Sequence, residues 1–139
     1  MTQRQEYLKP LPTPNQETKP FWDACRKHEL RVQRCKACKN TFFPPRNSCP
    51  HCLSQDFEWI KCSGKGKVYS FSVVHQNRSP GFKNEGPYVI AYITLDEGVQ
   101  MLSNVIGCEP YSVKVEMPVE VVFEDATPDV SLPKFKPRG

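Results

Sequence analysis

A long hydrophobic run is missing from this sequence. The longest uninterrupted apolar stretch is the six residues 88–93, whereas a membrane-spanning helix needs about 20. The first 30 residues carry charges throughout and contain no apolar segment of signal-peptide length. These absences argue against a membrane or secreted protein, and we expect a cytoplasmic protein with no membrane partner.

The motifs of common catalytic sites are also missing. The chain has no glycine-rich phosphate loop and no Gly-x-Ser-x-Gly nucleophile turn, and it contains only 3 histidines. His75 with Cys108 is the one nucleophile pair that can be imagined, and nothing in their spacing supports it. We expect Cys108 to be a small buried residue and the chain to lack independent catalysis.

Cysteine and proline, by contrast, are abundant. The 139 residues include 7 cysteines and 14 prolines, and so much proline disfavours long helices. Four of the cysteines form two Cys-x-x-Cys pairs separated by ten residues. Each pair can place two sulfurs on one metal, so the two pairs supply the four tetrahedral ligands of a structural zinc site. The predicted zinc ligands are Cys35, Cys38, Cys49 and Cys52.

Other interpretations of these cysteines explain less. Disulfides are disfavoured in a cytoplasmic chain with an odd number of cysteines, and a redox dithiol would use one pair but not both. His51 and Cys62 are minor candidate ligands, since four thiolates already complete the site. Two interpretations of three nearby cations stay open: these cations either offset the −2 charge of a zinc–thiolate site or bind phosphate. They are Arg34, Lys36 and Lys39.

The charge is divided between the two halves of the chain. Residues 26–67 contain ten Lys or Arg against three acids, whereas residues 84–130 contain one Lys against nine acids. This division indicates two modules with different partners. We therefore divide the chain into an extended arm (1–17), a helix with a zinc ribbon (18–62) and an OB-fold domain (63–139).

The first of these modules begins with a helix. Thr18 suits an N-cap, Pro20 is tolerated in the first turn, and Phe21, Ala24, Cys25 and His28 follow the spacing of one helical face over residues 18–30. Alternating residues 30–34 and 56–62, with an extended segment at 41–46, predict a three-stranded ribbon around the metal. Such a ribbon has too little core to fold without its metal.

From Gly64 onward the pattern is that of short strands. Five of them with no helical stretch of any length fit a small closed barrel such as an OB-fold. Residues 96–98 have the composition of a tight hairpin, and residues 75–86 are predicted to form a long loop at the mouth of the barrel. The predicted strands are 68–74, 87–95, 99–106, 118–123 and 132–137.

A zinc ribbon followed by an OB-fold could bind single-stranded nucleic acid, which is our alternative hypothesis. OB-folds do so with stacked aromatic side chains and a positive groove. Tyr69, Phe71, Tyr88 and Tyr92 supply aromatic rings, but the barrel half is strongly acidic. Nucleic acid is therefore the less favoured partner.

Several motifs together carry a family resemblance over residues 17–137. They are Phe21-Trp22, Arg34-Cys35-x-x-Cys38, Phe43-Pro44-Pro45-Arg46, Cys49-Pro50-x-Cys52, Gly66-x-Val68-Tyr69-Ser70-Phe71, Pro80-Gly81-Phe82, Leu95-Asp96-Glu97-Gly98 and Leu132-Pro133-x-Phe135. As a set they resemble the zinc-ribbon and OB-fold acyl-CoA-associated family. The resemblance implies a mainly β fold with an N-terminal helix, a rubredoxin-like zinc ribbon and an OB-fold barrel.

The same resemblance implies a function. Members of the family are partners of thiolase-superfamily enzymes, including acyl-CoA thiolases, a synthase assembly and steroid side-chain aldolases, and some are linked to hydratases. It implies a non-catalytic, zinc-binding accessory subunit that supports assembly and shapes the acyl-CoA site, while the nucleophilic cysteine resides in the partner. No family catalytic residue can be carried over to this chain.

Two further expectations follow from that role. Coenzyme A carries phosphates that Lys and Arg bind, and Arg46, Arg78 and Lys83 lie in predicted loops where such contacts are usual. Thiolase cores are dimers, so we expect a heterotetramer with two copies of each chain. The arm, the helix face bearing Phe21 and Trp22, and the ribbon are the expected contact surfaces.

Overall fold

The computed structural model describes residues 11–75 and 86–138. In these residues one α-helix is followed by a small three-stranded sheet and then by a closed five-stranded barrel. The mainly β fold class is therefore confirmed. No helix in the described part of the chain is long and apolar enough to cross a membrane.

Helix α1 spans Lys19–Arg26 and ends earlier than residue 30, so the predicted third turn is wrong. His28 takes a left-handed conformation with φ 59°, and its N–H bonds to the Cys25 carbonyl oxygen at 2.9 Å. Once one residue adopts positive φ, the helical ladder cannot continue through it. Phe21, Ala24 and Cys25 of the predicted apolar face are buried as expected.

The ribbon consists of β1 (Arg31–Cys35), β2 (Thr41–Phe42) and β3 (Phe57–Lys61). All pairings are antiparallel, and β1 lies in the middle. β2 is short because it runs into Pro44 and Pro45, which have no N–H to donate to a sheet. The ribbon thus forms around its central strand, and β1 delivers Cys35 to the tip of the sheet.

The barrel consists of five strands in the order β4-β5-β6-β8-β7. β7 and β8 are both longer than their predictions because the pairing continues past Phe123 to the turn between Thr127 and Val130. At Gly66, a Cβ atom would lie 2.5 Å from the carbonyl oxygen of Thr94, so only glycine lets β4 approach β5 there. The strands are β4 (Lys65–Val74), β5 (Tyr88–Leu95), β6 (Gln100–Val105), β7 (Pro118–Thr127) and β8 (Val130–Pro137).

One hydrophobic cluster joins the helix, the base of the ribbon and the barrel. Phe21, Cys25, Leu30 and Val32 belong to the same buried cluster as the barrel interior, which includes Phe135. Burial of this apolar surface fixes the ribbon against the barrel. A second, much smaller cluster surrounds the cysteines at the ribbon tip.

The aromatic face of α1 is covered by the chain itself. Phe21 is only 3% exposed, and its ring lies 5.3 Å from that of Phe43 and 4.9 Å from that of Trp22, which is half-buried against the main cluster. The expectation that Phe21 offers a surface to a partner is therefore wrong. Phe43 and the main cluster provide the cover that the ribbon alone could not.

The hairpin between β5 and β6 forms a polar junction with the ribbon. The carbonyl oxygen of Glu97 accepts a hydrogen bond from Thr41 Oγ1 at 3.2 Å, and its carboxylate accepts one from the Ser63 N–H at 3.0 Å. The predicted tight turn at 96–98 is present, with Gly98 at φ 90°. Glu97 therefore links β2 to the start of the barrel.

Candidate metal centre

The ribbon brings the four predicted ligands together at its tip. The sulfur atoms of Cys35, Cys38, Cys49 and Cys52 all lie within 4.8 Å of one another. Cys35 and Cys52 have their sulfurs 3.5 Å apart, and Cys38 and Cys49 have theirs 3.6 Å apart. Tetrahedral zinc with bonds of about 2.3 Å places its sulfurs about 3.8 Å apart, so the geometry suits zinc.

The two Cys-x-x-Cys turns have the same backbone structure. The Cys35 N–H bonds to the Asn40 carbonyl and the Lys39 N–H to the Cys35 carbonyl, both at 2.9 Å. In the second turn, Cys49 and Leu53 occupy the equivalent positions, with bonds of 2.8 Å from Cys49 to Ser54 and from Leu53 back to Cys49. Lys39 and Leu53 both take positive φ, at 67° and 66°. The two turns therefore face each other as copies of one motif.

These turns stabilise thiolates. The N–H of Cys38 donates to the Cys35 sulfur at 3.4 Å, and the N–H of His51 donates to the Cys49 sulfur at 3.3 Å. The backbone N–H of Asn40 holds the pKa of Cys38 down, at about 6, and the backbone N–H of Cys38 lowers the pKa of Cys35. Thiolate is the form that binds a metal.

Four thiolates at this distance need a cation. The Ser54 N–H lowers the pKa of Cys52, but the neighbouring sulfurs, chiefly that of Cys35, outweigh it and raise this pKa to about 12. A positive charge that enters the group therefore favours loss of the Cys52 proton. The donor set fits zinc, and four sulfur ligands leave no open position for a substrate.

The other cysteines lie outside this group of four, which we call the metal group. Burial raises the pKa of Cys25 to about 12 and, with the charge of Glu97, that of Cys62 to about 12, so both are inert thiols. Cys108 is half-buried and packs against the main cluster, so it is less buried than predicted. The group of possible metal ligands found in the described residues contains neither Cys62 nor the His51 ring.

In the described residues, the side chain of His75 contacts Tyr111. Its Nδ1 atom lies 3.0 Å from the hydroxyl of Tyr111, and the two rings are 5.7 Å apart. Within residues 11–75 and 86–138, no recorded contact joins His75 to Cys108. The structure therefore gives no support to the imagined nucleophile pair.

Basic residues border the metal group on the side of the barrel. Arg34 and Lys39 line a cavity of about 460 Å³ with His51, and the far wall is the hairpin that carries Glu97. Lys36 lies on the surface with its ammonium 3.9 Å from the Asp56 carboxylate. All three predicted cations are exposed within a few residues of the cysteines, where a net negative metal site would attract them.

Gln33 is a site residue that the sequence pattern does not reveal. It is 1% exposed, and its amide bonds to the Arg46 N–H at 2.7 Å and to the Arg46 carbonyl oxygen at 2.6 Å. The next residue, Asn47, donates its N–H to the Glu17 carboxylate at 2.8 Å. The backbone at Arg46 is thus held on both sides while its side chain stays exposed. Arg78 and Lys83 lie outside the described residues.

Two family models match this chain, one over the zinc ribbon and one over the barrel. Residues 22–58 match the family model of the ChsH2 rubredoxin-like zinc ribbon domain, and residues 59–124 match that of the ChsH2 C-terminal OB-fold domain. A DUF35 domain-containing scaffold protein of Methanothermobacter thermautotrophicus is 36% identical over 121 residues, which are 81% of this chain and 90% of that protein. The chain belongs to the DUF35 family.

Other relatives of this DUF35 chain carry the names of enzyme subunits. It is 37% identical over 135 residues to a probable enoyl-CoA hydratase alpha subunit of Thermomonospora curvata, covering 97% of this chain and 42% of that protein. It is 35% identical over 92 residues to the benzoylsuccinyl-CoA thiolase subunit BbsA of Thauera aromatica, covering 66% and 61%. The chain therefore spans less than two thirds of both relatives.

A solved structure has the same fold over nearly its whole length. The Ltp2-ChsH2(DUF35) aldolase superposes with a TM-score of 0.82 at 36% identity, covering 91% of this chain and 98% of that chain. The resemblance inferred from the motifs of the sequence is therefore confirmed, including the OB-fold assignment of the barrel.

Proposed function

We propose that this DUF35 chain is a non-catalytic, zinc-binding accessory subunit of a thiolase-type acyl-CoA enzyme complex. One observation carries the proposal: the four sulfurs form a closed ligand set at the tip of a ribbon, in a chain whose relatives are named as scaffold proteins and enzyme subunits. A closed thiolate site stabilises a fold and performs no chemistry on a substrate. The catalytic nucleophile then belongs to the partner.

The proposed zinc ligands are Cys35, Cys38, Cys49 and Cys52. When zinc is bound, it supplies the positive charge that lets all four sulfurs be thiolates. The protein holds these sulfurs in place through the paired backbone turns and the N–H···S bonds. The nearby Arg34 and Lys39 offset the remaining negative charge of the site.

We further propose that the chain helps to shape the acyl-CoA site through contacts to the phosphates of coenzyme A. Arg46, Arg78 and Lys83 are the proposed contacts, and Arg46 has the strongest support, because Gln33 fixes its backbone while its side chain remains exposed. A guanidinium on a fixed backbone can bind a phosphate with little loss of freedom.

Purification of the native complex tests the accessory role. We expect tagged full-length chain to retain a thiolase-superfamily protein at equal stoichiometry, with two copies of each chain by light scattering. A single-strand binding titration beside it tests the alternative. Retention of no enzyme, together with micromolar single-strand binding that weakens steeply with salt, would replace this proposal with nucleic-acid binding.

Kinetics of the reconstituted complex test the role of Arg46. We expect Arg46→Ala to raise KM for the acyl-CoA several-fold with little change in kcat, because the phosphate lies far from the reacting thioester. Lys61→Ala, an exposed cation of β3, is the matched control. An unchanged KM for the Arg46 variant would remove Arg46 from the proposed site.

A further inference from the structure

The four sulfur ligands are not equally covered by the protein. Cys35 and Cys49, the first cysteine of each pair, are fully buried. Cys38 is half-buried, whereas Cys52 is exposed. Because the two Cys-x-x-Cys turns are copies in their backbone, this difference between their second cysteines comes from what surrounds each turn. Cys52 is the member of the metal group that a molecule in solvent reaches most directly.

The first turn lies between two paired strands, and the second does not. β1 ends at the first residue of its turn, Cys35, and β2 begins directly after the turn, at Thr41. The Thr41 hydroxyl also donates to the Glu97 carbonyl oxygen, which joins this end of the turn to the barrel. Residues 43–56, which include the whole second turn, contain no strand. A segment without strand pairing opens locally at a lower free energy than one inside a sheet.

A side-chain donor also distinguishes the two turns. The Asn40 amide nitrogen donates to the Cys38 sulfur at 3.4 Å. Ser54 occupies the equivalent position of the second turn, and its hydroxyl oxygen accepts the Asp56 N–H at 3.1 Å. In the described part of the chain, no side-chain donor from outside the metal group is recorded for the Cys52 sulfur. Hydrogen bonds to a metal ligand orient it and strengthen its hold on the metal, so Cys38 has a support that Cys52 lacks.

We propose that Cys52 is the labile ligand of the proposed zinc site and the thiol at which a soft electrophile modifies the metal group, with Asn40 as the residue that protects Cys38. The inference rests on the proposed zinc site. In the opening step, the Cys52 sulfur leaves the metal as a thiolate and keeps both electrons of the bond. The thiolate then attacks the carbon of an electrophile such as iodoacetamide, so that a C–S bond forms, the C–I bond breaks and iodide leaves. The step needs no oxidant, and it takes place at the most exposed sulfur, as cysteine reactivity requires.

Alkylation of the zinc-loaded, full-length chain tests this order of reactivity. Cys108→Ser is the background for every measurement, because it removes a half-buried thiol that lies outside the metal group. After limited exposure to iodoacetamide, native mass spectrometry selects molecules with a single adduct, and peptide mapping locates it. We expect Cys52 to carry this first adduct about ten-fold more often than Cys38. Transfer of zinc to a chromogenic chelator should accelerate in step with the adduct.

Two reciprocal substitutions test the part played by the side-chain donor. Ser54→Asn gives the second turn the amide of the first, and we expect it to slow the alkylation of Cys52 several-fold. Asn40→Ser removes that amide from the first turn and should raise the alkylation of Cys38 several-fold. Asn47→Ser, at an exposed asparagine between the two turns, is the matched control and should change neither rate.

The zinc content of the unmodified protein separates this inference from the proposed function. A protein that holds no zinc would overturn both. A zinc-loaded protein whose first adducts lie chiefly on the other three ligands would overturn this inference and leave the zinc site intact. The map of the first adduct needs neither swap, so it decides the proposal even where a swapped variant fails to fold. Rates that neither swap changes would remove Asn40 from the proposal.

Discussion

At the scale of single residues, the polar side chains with long-range partners hold the modules in their relative positions. Gln33 fixes the segment of Arg46 across 13 residues of sequence, and Glu97 joins the barrel hairpin to the ribbon. His28 stacks on Phe123 with ring centroids 5.2 Å apart and bonds to Asp125 at 2.7 Å. These contacts connect α1 to β7, so the end of the helix is held by the barrel.

The Asp125 contact predicts a pH dependence of stability. The Ser131 hydroxyl, 2.5 Å away, and the His28 ring hold the pKa of Asp125 below its usual value. The unfolded chain therefore binds this proton more readily, so the contribution is present above about pH 4 and is lost as the pH falls through the folded-state pKa. In urea unfolding, the advantage of wild type over Asp125→Asn should shrink between about pH 6 and about pH 3.

Asp129→Asn provides the comparison for that measurement, since Asp129 is exposed on the adjoining turn and its carboxylate has no recorded partner in the described residues. Its difference from wild type should show much less change over the same pH range. A difference for Asp125→Asn that stays constant with pH would contradict the assigned role of the carboxylate.

At the scale of elements, the two Cys-x-x-Cys turns are copies of one backbone motif built without glycine. The positive φ of Lys39 and Leu53 turns the chain back after each pair, so that the carbonyl oxygen of the next residue, Asn40 or Ser54, accepts a hydrogen bond from the N–H of the first cysteine. Most residues adopt this conformation at a cost of about 1–2 kcal/mol relative to the right-handed region. The turns therefore hold local strain, which we expect binding of the proposed metal to offset.

Leu53 offers a direct measure of this strain, because its side chain is 77% exposed and contributes little packing. We expect Leu53→Gly to leave the free energy of unfolding of the zinc-loaded protein unchanged or up to about 1 kcal/mol higher. Leu53→Val should lower it by about 1 kcal/mol, because β-branched residues are disfavoured at positive φ. Chemical denaturation measures both variants.

The same pair of substitutions at Gln55, an exposed residue outside the positive-φ positions, should show the opposite order, with glycine the less stable. If Leu53→Gly destabilises the protein as much as Leu53→Val, the turn is not strained and the conformation at 53 is not limiting.

The elements also show which features a sequence can predict. Cysteine spacing, strand alternation and the composition of 96–98 identify the metal group, the ribbon, the barrel and its hairpin, because each is a local pattern. The end of α1 at Arg26 and the extension of β7 to Thr127 are not marked by such a pattern, since the first depends on the positive φ of His28 and the second on pairing with β8. The role of Gln33 cannot be predicted from a local pattern either, because its partner, the backbone of Arg46, lies in another segment of the chain.

At the scale of the whole molecule, the hydrophobic core is continuous between the helix, the ribbon base and the barrel, and it excludes the ribbon tip. Leu30 and Val32 pack with the barrel interior, whereas among the described residues the apolar cluster at the tip adds only Phe42 and Phe57 to its cysteines. So small a cluster cannot offset the entropy of ordering the two turns. We therefore expect the stability of the tip to come from the proposed metal.

This division predicts a local effect of losing the metal. Protein purified without added zinc should contain close to one zinc per chain. Cys38→Ser should lose that zinc and the slow hydrogen exchange of residues 35–57, because in so small a unit metal binding and folding are one event. Amides of β5 and β7 should keep their protection, since the main core holds them independently of the tip.

Cys108→Ser is the control and should keep both zinc and protection. Retention of stoichiometric zinc by Cys38→Ser, or loss of protection throughout the barrel, would show that metal and core are not separated in this way.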